Sequence, residues 1–163
     1  MKVYLLNAFA RTSRGGNPAG VVLDADGLAD HLMQETAARV GFSETAFVQK
    51  SSAADFKIRF FTPAAEVDLC GHATIAVFSL LFELGRIRAG KYTQETKAGI
   101  LGIDVQKDGT VFMEQTLPLF GSAVERGEVA GSLGIELRAL APDMPVQIVS
   151  TGLRDIIVPV VSL

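Results

Sequence analysis

One cysteine in a chain of 163 residues rules out an internal disulfide. The two histidines, His31 and His72, stand far apart and far from any metal-ligand spacing, so no structural metal is expected. Basic residues form no cluster and the formal charge is −3, which argues against nucleic acid or an anionic membrane surface as partner. The longest apolar run, Ala73 to Phe82, is about half of the ~20 residues that a membrane helix needs. Met1 leads into a strand-like VYLL rather than the apolar core of a signal peptide, so a soluble, cytoplasmic protein is expected. Heptads, solenoid periods and low-complexity tracts are likewise missing from the sequence.

The richest stretch is RFFTPAAEVDLCGHATIAV, Arg59 to Val77, which holds Cys70, His72, two acids and a helix start. Before it, Phe56, Ile58 and Phe60 alternate with Asp55, Lys57 and Arg59, predicting a half-buried strand over 55–62 that Pro63 ends. From Gly71 to Gly85, Ala73, Val77, Leu80, Leu81 and Leu84 recur at helical spacing on an apolar background. That pattern predicts a helix buried on most faces, with Asp68 near enough to cap it. Its first N–H groups lack partners and carry partial positive charge, so a carboxylate or phosphate suits the place. Gly71 lets a ligand approach the backbone there and His72 offers a donor or acceptor beside it. The bland alternative is a buried helix that begins with glycine and binds nothing.

Along the chain, Lys2 to Phe9 reads as a strand covered on both faces, and ARTSRGGNP as the loop to a second strand, Ala19 to Leu23. Arg11, Arg14 and Asn17 either cradle an anion there or simply decorate a hairpin. Asp24, Asp26 and Gly27 mark a turn and cap before a helix over 28–40, whose Leu28, Leu32, Met33, Ala37 and Val40 share a face. Gly41 is placed to end it, and His31 falls on its polar side. In the next strand, SETAFVQK, Glu44 lies on the side of Ala46 and Val48. If that side is the core, a carboxylate is being buried, as a general acid/base requires; otherwise Glu44 sits at the strand's end and reaches water.

After the buried helix, strands are expected over 91–98, 100–106 and 110–116, the last two joined at Lys107-Asp108-Gly109. Residues 117–124 read as loop, with a domain boundary near Pro118. A short helix over 125–133 follows, then strands over 146–150 and 153–161. The sum is an α+β protein: a curved, mostly antiparallel sheet wrapped around a central buried helix in residues 1–118, then a linker and opening strands of a second, incomplete domain in 119–163.

Four segments, GNPAGVVLD, GFSETAFV, IRFFTPAAEVDLCGHATIA and VSTGLRDIIVPV, occur in the order of the successive motifs of the phenazine-biosynthesis PhzF-like family, which the chain resembles from end to end. The resemblance implies the diaminopimelate-epimerase-like fold, with two similar domains and an active site between them. Its late acidic motif followed by Pro-Ala-Thr-Gly-Ser is absent, so the second domain is expected to be largely missing, through natural truncation or an incomplete chain.

Residue by residue, the resemblance makes Glu44 the carboxylate that moves a proton between carbons of a small cyclic or amino-acid-like carboxylate, without metal or cofactor. His72 orients or polarises the substrate, and Gly71, Ala73, Ser43 and Asn17 match substrate-binding positions. Two other readings stand beside this one. A catalytically inactive member would bind a small acid or a protein partner. An epimerase or racemase would use Cys70, whose thiolate the helix terminus favours, with a partner thiol from elsewhere; as the lone thiol of the chain, Cys70 reads instead as structural. Apolar surface left by a missing domain points to a homo-oligomer.

Overall fold

Three of the central strands are apolar at consecutive positions, which a sheet tolerates only when both faces are covered. In the computed structural model, which describes residues 1–10, 12, 15–151 and 154–162, two helices supply that cover. Strands β2 (Asn17–Val22), β3 (Glu44–Gln49) and β4 (Phe56–Phe61) lie side by side. Val22, Phe47 and Phe61 pack with Met33 and Ala37 of α1 (Asp30–Val40). Their neighbours Val21, Ala46, Val48 and Phe60 face the opposite way, onto Ala73, Val77 and Phe78 of α2 (Gly71–Glu83). The period-2 alternation of β2 and β3 thus sorts side chains between two apolar clusters rather than between core and water, whereas in β4 Lys57 and Arg59 share the α1 side with Phe61 and pair with acids.

Both helices are crossovers. α1 joins β2 to β3 and α2 joins β4 to β6 (Gly90–Thr96), and these are the parallel pairs of a sheet otherwise antiparallel. The remaining strands are β1 (Tyr4–Ala8), the short β5 (Glu66–Val67) on β4, β7 (Gly99–Val105) and β8 (Val111–Met113). The order is β1-β2-β3-β4-β6-β7-β8, and α2 packs on β1 at one end and on β8 at the other. A helix touches both ends of such a sheet only if the sheet curls around it. This is the expected curved sheet wrapped around a central buried helix, and Ala73, Thr74, Ala76, Val77, Phe78, Leu80 and Leu81 of that helix are buried.

Several local expectations need correction. β1 is an edge strand beyond the reach of α1, so Leu5 is 63% exposed and only Tyr4 and Leu6 meet the α2 core. Asp68 does not cap α2: its carbonyl accepts from Ala98, and Cys70 holds the cap position without a side-chain bond. Nor do Asp24 and Asp26 cap α1, which starts after Ala29. Asp24 instead binds both terminal nitrogens of Arg86, and Asp26 accepts from the Lys50 backbone N–H. Gly41 ends α1 in the left-handed conformation, φ 73°, as its place in the sequence suggests.

The chain divides into two compact units, Met1–Glu114 and Gln115–Leu163. In the second, residues expected as loop form β9 (Leu119–Ala123), which pairs antiparallel with β10 (Gln147–Ser150). β10 pairs in turn with β11 (Arg154–Ile157). Val129 and Ala130 of helix α3 (Arg126–Leu133), Leu140 just after the 3-10 turn Leu137–Ala139, and Val146 form a small core. Among the described residues no helix is long and apolar enough to cross a membrane.

Candidate active site

The sheet's parallel pairing decides which side chains meet. β2 and β3 run together with Ala19 opposite Glu44, so Asn17, the exposed first residue of β2, and Glu44 lie at the same end of the sheet. Glu44 points to the α2 side, as its alternation with Ala46 and Val48 suggests. There it meets the first turn of α2: Glu44 Oε2 is 3.4 Å from His72 Nε2. Ser43 Oγ is 3.5 Å from the same nitrogen. The side chains of Glu44 and His72 are 21% and 10% exposed, neither sealed nor free in water. Of the open alternatives, the partly buried carboxylate is the one the fold realises.

Glu44 Oε2 itself has no access to solvent and no hydrogen-bond partner among the described residues. The contrast with Glu66 is sharp. That carboxylate takes Arg59 Nε at 2.7 Å, Arg59 Nη2 at 2.9 Å and Lys97 Nζ at 2.6 Å, and these cations hold it below the usual carboxylate range. Glu66 is saturated and structural, whereas Glu44 keeps lone pairs in hand beside an imidazole and the positive end of a helix.

Gly71 opens α2 beside these groups. A Cβ placed on it would meet only Met113 Cε of β8, at 3.7 Å, so its backbone stays approachable. Ala73 is fully buried in the α2 core, and its backbone N–H points to the Cys70 sulfur. The expected binding residues therefore divide: His72 stands beside Glu44 and Ser43, Gly71 opens the helix next to His72, Asn17 stands at the same sheet end, and Ala73 is a packing residue. Arg11 and Arg14 lie outside the described residues.

Cys70 is the residue whose part the sequence reading missed. Its Sγ is 3.2 Å from His72 Nδ1, on the ring nitrogen that does not face Glu44. The C-x-H spacing was the available signal, since a cap residue and the second helical residue can reach each other. Burial pushes the thiol up to about 12; the Ala73 N–H pulls against this without forming a capping bond, and the Glu44 charge adds to the rise. Desolvation thus opposes the thiolate that the helix terminus favours, and it is the larger effect on this sulfur.

One donor atom each from Glu44, Cys70 and His72 lies within 4.8 Å of the others. Sulfur and carboxylate are thus near neighbours of each other as well as of the imidazole, and Glu44 is a second acceptor within reach of the thiol.

A family model described as phenazine biosynthesis-like protein matches residues 6–163. An uncharacterized isomerase of Bacillus subtilis (strain 168) is 42% identical over 99% of this chain and 57% of its own length. One from Escherichia coli (strain K12) is 34% identical over 97% of this chain and 55% of its own. Among solved structures, a phenazine biosynthesis protein of the PhzF family from Bacillus anthracis shares 44% identity with a TM-score of 0.86, over 98% of this chain and 56% of that one. The chain thus spans little more than half the length of these relatives. A hydroxyproline epimerase from Agrobacterium vitis, 16% identical with a TM-score of 0.56 over 85% of this chain and 47% of its own, is alike in fold alone. By the family match and these identities, the chain belongs to the PhzF-like phenazine biosynthesis family.

Proposed function

We propose that this chain carries the acid/base machinery of an isomerase-type enzyme that moves a proton between carbons of a small cyclic or amino-acid-like carboxylate. The observation that carries the reading is the Glu44 carboxylate, with one oxygen buried and unpartnered 3.4 Å from His72 Nε2 at the start of α2. A general base needs a free lone pair in a partly dry place, and that oxygen has both. In this reading ionised Glu44 takes a proton from one substrate carbon, and the protonated acid returns it to another. His72 and Ser43 orient or polarise the substrate. The N–H groups at the start of α2, approached past Gly71, receive its carboxylate. The isomerase names of the relatives agree with this class of reaction. No cofactor is invoked.

The test is exchange of carbon-bound protons in deuterated water, followed by proton NMR with a panel of cyclic amino acids and small hydroxy acids. The wild-type protein should replace one substrate proton by deuterium, and Glu44→Gln should slow this by about 10²–10⁴-fold, the usual share of a general acid/base. Undiminished exchange in Glu44→Gln would refute the assignment. A panel that binds in calorimetry yet never exchanges would favour the non-catalytic reading. The Cys70-based racemase is disfavoured, because a thiol raised to about 12 is a poor base at neutral pH.

A further inference from the structure

The His72 ring is addressed from both nitrogens. Cys70 Sγ lies 3.2 Å from Nδ1, and Glu44 Oε2 lies 3.4 Å from Nε2. A neutral imidazole has one proton to place. With the proton on Nδ1, the Nε2 lone pair would face a carboxylate, and the thiol proton would find no acceptor on the ring. With the proton on Nε2, the Nδ1 lone pair accepts from the thiol, while Nε2 stands 3.5 Å from Ser43 Oγ and Glu44 Oε2, 3.4 Å away, lies off the line of a hydrogen bond. The thiol thus selects the tautomer, and the nearby carboxylate charge favours the same one.

The sulfur is well placed to hold that bond. Cys70 is 7% exposed, so water does not compete for a weak S–H donor. Its backbone is fixed from the next turn, where Thr74 gives both its N–H, at 3.0 Å, and its hydroxyl, at 2.8 Å, to the Cys70 carbonyl. The Ala73 and His72 backbone N–H groups point to the sulfur as donors, so the thiol's own proton is free to go to the ring or to Glu44.

We propose that Cys70 is a positioning residue: its thiol donates to His72 Nδ1 and thereby keeps the ring proton on Nε2, beside Ser43. The catalytic consequence rests on the acid/base reading above, but the hydrogen bond itself does not. In that reading His72 presents an N–H, not a lone pair, to the substrate, and it acts as an electrophile or an orienting donor while Glu44 does the proton transfer.

The competing acceptor for the single S–H is Glu44, and the experiment separates the two. The chain has one thiol, so its infrared S–H stretch is a single band. In the wild type that band is expected below the position of a free thiol. His72→Ala should release it, and Glu44→Gln should leave it displaced. In the ¹⁵N spectrum, His72 Nδ1 should differ from that of exposed His31, the other histidine, and Cys70→Ala should abolish the difference while Cys70→Ser preserves it.

In turnover, Cys70→Ala is expected to lower kcat by about 10–100-fold, the range commanded by the outer hydrogen-bond partner of a functional histidine, with KM little changed and Cys70→Ser largely restoring the rate. A band released by Glu44→Gln but not by His72→Ala would overturn the proposal, as would a wild-type ring carrying its proton on Nδ1. A ring held as described in a protein that exchanges no substrate proton would instead overturn the acid/base reading and leave the hydrogen bond standing.

Discussion

Gly20 of β2 and Thr45 of β3 are register partners that leave no room for a further atom: a Cβ on the glycine would fall 2.7 Å from Thr45 Oγ1 and 3.0 Å from its Cγ2. Val40 Cγ1 of α1 stands at 3.2 Å, and Thr45 is fully buried, so the threonine cannot simply swing into water. Glu44 is the next residue, so this close approach also sets where the carboxylate stands.

Gly20→Ala should therefore destabilise the protein by about 1–3 kcal/mol through overpacking. Urea unfolding of Gly20→Ala, Thr45→Ala and the double variant measures it. Because the methyl group's conflict is with the threonine side chain, the double variant should be more stable than the sum of the single effects implies. Strict additivity would show that the clash lies elsewhere.

The architecture around that contact was legible in the sequence because it follows from period. Alternation in 56–61, helical spacing after Gly71 and a glycine at position 41 each have one dominant reading. β9 was not legible. Gly121 and Ser122 read as loop, yet Gly121 lies where any side chain would press on Ile148, its ideal Cβ being 3.3 Å from that residue's Cβ, so the glycine serves close strand packing. The caps failed for a related reason. Asp24 and Asp68 have the right chemistry near a helix start, but Asp24 is claimed by Arg86, 62 positions along the chain. The site itself was half legible. Alternation told which way Glu44 points, while its meeting with His72 depends on the crossover through α2 and the parallel register, which local pattern does not encode.

Phe78 is the centre of the α2 core. It is fully buried and meets Phe56 edge to face, centroids 5.7 Å apart at 85°. Phe78→Ala should cost about 3–5 kcal/mol, the range for removing a buried aromatic ring. Denaturant midpoints measure the loss. A cost below about 1 kcal/mol, the level of a surface change, would mean that α2 is not the core helix described.

Glu66, 13% exposed, should shape the acid limb of stability. The hydrogen bonds from Arg59 lower its carboxyl below the ordinary 4.5, burial opposes this, and Lys97 adds to the lowering. A carboxyl depressed in the folded state contributes stability that is fully present above the unfolded value and is lost as pH falls through the folded one. Glu66→Gln should therefore lower stability at pH 7 and flatten its decline below about 4.5. Unfolding midpoints at a series of pH values read both effects, and an unchanged acid limb would count against this triad.

The last prediction concerns the lone thiol, whose reactivity reports on its neighbours. A rise from 9.0 to about 12 lowers the thiolate fraction near neutral pH about a thousandfold, and the thiolate is the species that reacts. Iodoacetamide at pH 8 should thus label the folded protein at least about a thousandfold more slowly than the urea-unfolded chain, because burial of Cys70 adds to the proton's protection. Intact mass resolves the reaction, since a single cysteine gives a single adduct. Burial is the largest cause of the rise, but the Glu44 charge contributes in the same direction. Glu44→Gln removes that charge while keeping the shape, so its Cys70 should label faster than that of the wild type, although still far more slowly than the unfolded chain. Rapid labelling of the folded wild type would mean that the sulfur is neither buried nor protonated. The S–H bond to His72 would fall with it.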